Sequence, residues 1–280
     1  VSAQASTQSR RIRRVSGDEI RAAEDRVAVE EPLEIRLAFE RTGQLKEQSV
    51  SITMRTPGHD EELALGFLYS EGLVAKPEDV QEVGAPGGKA GCNIVRVELR
   101  PGLRFDPELL VRHFYTTSSC GVCGKASIEA LRVQGRAAPP RLAPRVARET
   151  ITRLPEALRR SQAAFQETGG LHAAGLFDAA GRLLLLREDV GRHNAIDKVV
   201  GRQFMDGRLP LYETVLVVSG RTSFEIMQKA VTAGVPIVAA VGAPSSLAVE
   251  LAERFRMTLV GFVRETQFNI YAGPERIVER

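Results

Sequence analysis

From residue 171 to residue 263, short apolar runs alternate with helix-length segments that carry clear end signals. Strands are expected at 171 to 178, 182 to 187, 214 to 219 (TVLVVS), 236 to 241 (PIVAAV) and 257 to 263 (MTLVGFV). Helices are expected after Gly191, from Phe224 and from Ser246. The helix from Phe224 has the sharpest limits: Thr222 and Glu225 are spaced as a capping box, Gly234 can stop it, and Pro236 lies beyond. Strands that are apolar throughout need cover on both faces, and the intervening helices supply it. The expected architecture is therefore α/β, with a largely parallel sheet.

The first half reads differently. Leu33, Ile35, Leu37 and Phe39 alternate, and after a turn at RTGQ so do Val50, Ile52 and Met54, which predicts a half-buried hairpin with both sets facing inward. Asp60, Glu61 and Glu62 mark a helix start, and Gly72 can close that helix. In NIVRVELR, Val95, Val97 and Leu99 share a face, with Cys92 at the strand's start. Residues 134 to 150, rich in Pro, Ala and Arg, show no period and read as a connector. The expected division is a basic, frayed tail over 1 to 29, a smaller α+β domain over 30 to 133, the connector, and an α/β domain over 151 to 280.

Composition excludes some functions. No apolar run approaches the ~20 residues needed to span a bilayer, and a net charge of +3 is too small to argue for nucleic acid. Arginines at 132, 141, 145, 148, 153, 159 and 160 are read as a solvated surface. Three cysteines, with no leader sequence, point to free thiols in a reducing cytoplasm.

Two of those cysteines form TTSSCGVCGK, at Cys120 and Cys123. Structural zinc needs four ligands, and Cys92, His59, His113, His172 and His193 are scattered without metal spacing, so no metal site is expected. A thioredoxin-type switch lacks its usual lead-in. A nucleophilic or sulfur-carrying thiol fits better: Gly121 and Gly124 let backbone amides approach a sulfur, and Lys125 adds a cation that favours thiolate. A plain pair of packed cysteines remains the alternative.

In the second half, REDVGRHNAIDKVVG and SGRTSFEIMQKA each fall at a strand-to-helix junction. Strand carboxyl ends meeting helix N-termini make the ligand crevice of an open α/β sheet, so Gly220, Arg221, Thr222 and Ser223 suit an anionic group. His193 is either a ligand contact there or a local hydrogen-bonding residue. The order of elements resembles the cytidine deaminase fold, but that family holds zinc on a His two residues before a catalytic Glu and on a Pro-Cys-x-x-Cys. Here His193 is followed by Asn194, Ala195 and Ile196, and the second helix opens with Arg221, Thr222 and Ser223. The resemblance supports a fold and argues against deamination.

Taken together, RTPGHDEELALGFLYSEG, SSCGVCGK, GLHAAGLFD, REDVGRHNAIDKVVG, SGRTSFEIMQKAVTAGVPIVAAVGAPSSLAVELA and NIYAGPERI resemble the FdhD family of sulfur carrier proteins required for formate dehydrogenase. The resemblance covers roughly residues 30 to 278 in matching order. It implies a cytoplasmic, homodimeric sulfurtransferase. A cysteine desulfurase would load Cys120 as a persulfide with Cys123 as its partner. The sulfur would pass to the bis(molybdopterin guanine dinucleotide) molybdenum cofactor, bound as substrate through its guanine nucleotide ends, for formate dehydrogenase. The family's cofactor-binding segment falls at Phe262, Val263, Arg264, Glu265, Thr266 and Gln267. The alternative is a non-catalytic chaperone that binds the cofactor and delivers it to the apoenzyme.

Overall fold

The computed structural model describes residues 5–88, 93–103, 139 and 142–279. Cys92, His113, Cys120, Cys123 and most of the expected connector lie outside the described residues.

The second half is built on a six-stranded sheet. Strands β8 (His172–Phe177) and β9 (Leu183–Asp189) form a hairpin, and α4 (Arg192–Met205) leads to β10 (Val215–Val218). Then α5 (Phe224–Thr232), β11 (Ile237–Ala240), α6 (Ser246–Arg254), β12 (Thr258–Gly261) and β13 (Asn269–Ala272) follow, in the sheet order β13-β12-β11-β10-β8-β9. All five expected strands and three expected helices form. The sheet, however, is mixed rather than largely parallel. Only β10, β11 and β12, which are joined by crossover helices, run parallel. Strand β9 returns through a short turn held by Asp178 Oδ1, which accepts from the Ala180 and Arg182 amides, and must pair antiparallel to β8. Strand β8 is itself antiparallel to β10, and β13 to β12.

One face of this sheet is covered by α2 (Arg148–Arg160), which follows the two-residue β7 (Val146–Ala147) and buries Ile151, Leu154 and Leu158, and then by the short α3 (Ala163–Thr168). The helix claims residues 148 to 150, which the sequence suggested belong to the connector. The other face carries α4, α5 and α6 and continues into the first half through one core.

The first half is a four-stranded sheet of β3 (Glu31–Arg41), β4 (Gln44–Arg55), β5 (Val80–Gly84) and β6 (Ile94–Leu99), ordered β4-β3-β6-β5, with α1 (Asp60–Ser70) on its inner face. Leu33, Ile35, Leu37, Phe39 and Val50 are buried as expected, but Ile52 and Met54 are exposed. A bulge explains the difference: Ile35 pairs with Ser51 and Arg36 with Ser49, so Val50 is the extra residue. After it the inward set is Ser51, Thr53 and Arg55. Arg55 is fully buried and bonds Asp60 through two nitrogens, at 2.9 Å each.

The expected frayed tail is a hairpin of β1 (Thr7–Ser16) and β2 (Glu19–Ala28). Pairing sets Arg10 opposite Asp25 and Arg11 opposite Glu24, and Gly17 takes a φ of 58° at the tip. Its base is fixed where Glu167 of α3 accepts from Thr7 and pairs with Arg26.

The halves meet where α1 crosses α4. A β-carbon at Gly66 would overlap the carbonyl oxygen of Asp197, and one at Gly201 would overlap that of Glu62. Two glycines thus let the helix backbones touch. Buried polar residues tie the rest of this seam. Lys198 Nζ lies 2.7 Å from Asp189 Oδ2 and donates to the Thr56 carbonyl at 2.9 Å. Asp189 also accepts from the Thr56 amide, and Asn194 donates to the Met54 carbonyl. Lys229 holds both carboxylate oxygens of Asp197, at 2.7 and 2.9 Å.

Candidate functional site

Register places the carboxyl ends of β10, β11 and β12 on one edge. Because β8 runs against β10, with Ala174 opposite Val218, the same edge receives the start of β8 and the end of β9. His172, Ser219, Val241 and the segment after Gly261 therefore converge. Helix α2, its junction with α3, and α3 close the far side. The result is a cavity of about 700 Å³, lined on that side by Pro155, Arg159, Gln162 and Phe165, and on the sheet side by His172, Ser219, Val241, Val263, Arg264 and Glu265. A cavity this large has room for a nucleotide.

Of the six residues expected to bind cofactor after β12, Val263, Arg264 and Glu265 line the cavity. Phe262, Thr266 and Gln267 are exposed and do not line it. The loop is held in shape: the Arg264 amide donates to the Gln267 carbonyl, the Phe262 amide to Gly242, and the Arg264 guanidinium to the Val241 and Val263 carbonyls.

Gly220, Ser223 and His193 lie beside the cavity, across His172. A β-carbon at Gly220 would sit 3.5 Å from His172 Nδ1 and 3.9 Å from Arg192 Cδ, and His193 Nε2 is 3.4 Å from Ser223 Oγ. Arg221 is exposed. The expected capping box is replaced. Ser223 is the N-cap of α5 and its side chain makes no cap bond, while the buried Thr222 hydroxyl has no hydrogen-bond partner. Thr222 instead joins the chain to the next turn, its amide donating to Ala243 and its carbonyl accepting from Ser245.

The cavity lining holds both signs of charge, Arg159 and Arg264 with Glu156 and Glu265. Burial, with Lys229 and Arg192 nearby, pushes His193 down to about 4, and burial with Arg192 lowers His172. Both shifts favour the neutral imidazole, which can donate and accept. Burial alone would push Glu225 up, but the Ser223 hydroxyl and its own backbone amide hold its carboxyl below the usual range. The described residues contain no cluster of three or more His, Cys, Asp or Glu able to hold a metal. None of their helices is long and apolar enough to cross a membrane.

Sequence reasoning missed His172, Ser219 and the wall from α2 and α3, and it set Arg192 at the strand-to-helix junction without giving it a role. His172 opens GLHAAGLFD, so its position at a strand start was a usable signal. The helical wall carries none, because its residues reach the sheet only through tertiary packing.

A family model for the FdhD/NarQ family matches residues 28–278. The chain belongs to the FdhD/NarQ family. Among curated relatives, "Sulfur carrier protein FdhD" of Mycolicibacterium paratuberculosis is 50% identical over 277 residues, covering 97% of this chain and 98% of that one. The protein of the same name from Streptomyces coelicolor is 49% identical over 280 residues, covering 98% and 96%. An archaeal one, from Sulfurisphaera tokodaii, is 44% identical over 255 residues, covering 91% and 92%. The crystal structure of a protein assigned as a formate dehydrogenase accessory protein from Desulfotalea psychrophila superposes with a TM-score of 0.74 at 25% identity, covering 98% of this chain and 100% of that one. The family model starts at residue 28, so β1 and nearly all of β2 lie outside it.

Proposed function

We propose that this protein is a sulfur carrier in the maturation of formate dehydrogenase. Cys120 and Cys123 carry the sulfur, and the crevice holds the guanine nucleotide end of the bis-molybdopterin molybdenum cofactor, its substrate. The observation that carries the reading is the match, along nearly the whole chain, to relatives named sulfur carriers. The crevice supports the second part: it is nucleotide-sized, it holds Arg159 and Arg264 among its lining residues, and the N-termini of α4 and α5 lie beside it. The strand order β9-β8-β10-β11-β12, with β8 reversed, supports a cytidine deaminase-like second domain, while the residues at its helix starts are not those of a deaminase.

In this reading the Cys120 thiolate attacks the outer sulfur of the desulfurase persulfide. A sulfur–sulfur bond forms on Cys120 as one breaks on the desulfurase, whose cysteine leaves as thiolate. Cys123 thiolate then attacks the Cys120 sulfur and closes a disulfide. The outer sulfur leaves as sulfide for the acceptor, and a thiol reductant restores both cysteines. The protein works as a homodimer in the cytoplasm.

Intact-mass spectrometry after incubation with a cysteine desulfurase and free cysteine tests the sulfur-carrying part. Added sulfur that maps to Cys120 or Cys123 and is lost on reduction is the expected result. Unchanged mass with both thiols accessible turns the reading to a cofactor-binding chaperone. Under the sulfur-carrier reading, Cys120→Ala abolishes formate dehydrogenase maturation; a chaperone would tolerate it.

A further inference from the structure

The ribbon of β1 and β2 belongs to neither hydrophobic core. Its strands have ten residues each, a length of about 30 Å, and residues 13 to 22 are all exposed. The root is held by Glu167 of α3, which accepts from Thr7 and pairs with Arg26. A two-stranded ribbon gains little stability by itself, so the arrangement of side chains far from that root is informative.

Register sorts them by face. On one face Val15 lies opposite Ile20, 63% and 66% exposed, with Arg13 opposite Ala22 as the next pair. On the other, Arg14 lies directly opposite Arg21, a like-charge pairing that weakens the ribbon. Among the described residues no carboxylate pairs with Arg13, Arg14 or Arg21. The tip thus joins an apolar pair to three uncommitted cations.

The complement of such a tip is an apolar recess edged by carboxylates, which is a protein surface. Phosphate-rich partners fit it less well, because Asp18 and Glu19 stand at the turn and Glu24 and Asp25 farther down, four carboxylates among six arginines. The root shows where a protein bound here would reach. A β-carbon at Gly170 would lie 3.9 Å from that of Ala28, the last residue of β2, and Gly170 lines the crevice. So does Phe165, two residues before Glu167. A protein that follows the ribbon to its root arrives at the crevice rim.

We propose that the β1–β2 ribbon is a docking arm for the apoenzyme that takes up what the crevice holds. Val15 and Ile20 enter an apolar recess on that partner, and Arg13, Arg14 and Arg21 pair with carboxylates around it. Naming the partner as formate dehydrogenase rests on the function proposed above; the chemistry of the arm does not.

Binding of the full chain to immobilised formate dehydrogenase apoenzyme of the same organism, prepared from cells lacking this protein, tests the arm. The native chain is expected to bind saturably, and more weakly as salt rises. Val15→Ser with Ile20→Ser should weaken binding about tenfold or more, mainly through faster dissociation. Arg13→Glu with Arg14→Glu should slow association about tenfold and flatten the salt dependence. Arg14→Glu alone separates docking from folding. It sets opposite charges across the ribbon, so hydrogen-exchange protection of the ribbon amides holds or rises while affinity falls severalfold; loss of the ribbon's fold would lower both. Apoenzyme binding that none of these changes alters overturns the proposal, and the arginines then only keep the ribbon's edges from pairing with other strands. A native chain that fails to bind the apoenzyme, or that binds phosphatidylserine vesicles or duplex DNA through these arginines instead, overturns it too. Intact-mass measurement on the same samples separates the two proposals. Ribbon-dependent binding without sulfur on Cys120 or Cys123 keeps the arm and defeats the sulfur carrier, and sulfur loading with ribbon-independent binding does the reverse.

Discussion

Helix α4 serves two regions with opposite polar chemistry. Along the seam with the first half, Asn194, Asp197 and Lys198 are buried and fully engaged, with Met54, Thr56, Asp189 and Lys229 as partners. At its first turn, beside the crevice, Arg192 has a buried unpartnered nitrogen and His193 one long hydrogen bond to Ser223. Residues two positions apart thus do different work: the seam spends its polar groups on structure, and the crevice withholds them. Buried polar groups are satisfied almost everywhere in folded proteins, so a local concentration of unsatisfied ones separates a binding region from a structural one.

The seam gives the largest expected effect. Gly201→Ala drives a methyl group into the Glu62 carbonyl, where backbone must move, and is expected to cost about 3 kcal/mol or more in urea unfolding. A cost below 1 kcal/mol would show that α1 and α4 separate easily and that the seam is not the rigid member of the pair.

A second effect is set by pH. Burial by itself pushes the Glu62 carboxyl up, but the Arg187 fork, with His59 beside it, outweighs burial and holds it at about 2, against an ordinary 4.5. The native state therefore binds this proton less readily than the unfolded chain. The contribution, about 2 to 3 kcal/mol, is present above pH 4.5 and is lost as pH falls from there toward 2. Glu62→Gln should flatten that acid limb of the stability curve. An unchanged limb would assign it to other carboxylates.

The smallest effect sharpens the crevice side. Thr222→Val removes a buried hydroxyl that has no partner, so the free protein should gain about 0.5 to 1 kcal/mol. Nucleotide binding should weaken at the same time, by calorimetric titration. Loss of stability instead would mean that the hydroxyl has a partner in the free protein, and Thr222 would then belong with the seam.

Much of the second half was legible because its signals are local. Apolar runs, Gly234 with its φ of 75°, and Pro236 fixed β10, α5 and β11 to within a residue or two. What the pattern did not give was strand direction. Parallel pairing was inferred from helix crossovers, and the hairpin of β8 and β9 precedes the first of these. The bulge at Val50 was hidden for a related reason: period two survives on either side of it, and only the partner strand reveals the extra residue. The basic N-terminal segment looked frayed because its cross-strand pairs, Arg10 with Asp25 and Arg11 with Glu24, are distant in sequence.

The site was legible as a set of junctions rather than as a cavity. Gly220, Ser223 and His193 were placed at strand ends by motif position and the 262 to 267 segment by the family resemblance, and register brought them to one edge. Thr222 was read as a cap because its spacing to Glu225 fits one. That spacing could not show that Ser223 would take the N-cap position.

The close contact between α1 and α4 also has a kinetic consequence. With Gly66 and Gly201 seated backbone to backbone and Asp189, Asn194 and Lys198 locked behind them, the first turn of α4 is in place before any ligand arrives. Binding then has little ordering entropy to overcome on this wall, and no minor conformer must be populated first. Association should be limited by encounter, so sequence changes around the site will be read mainly in how long a ligand stays.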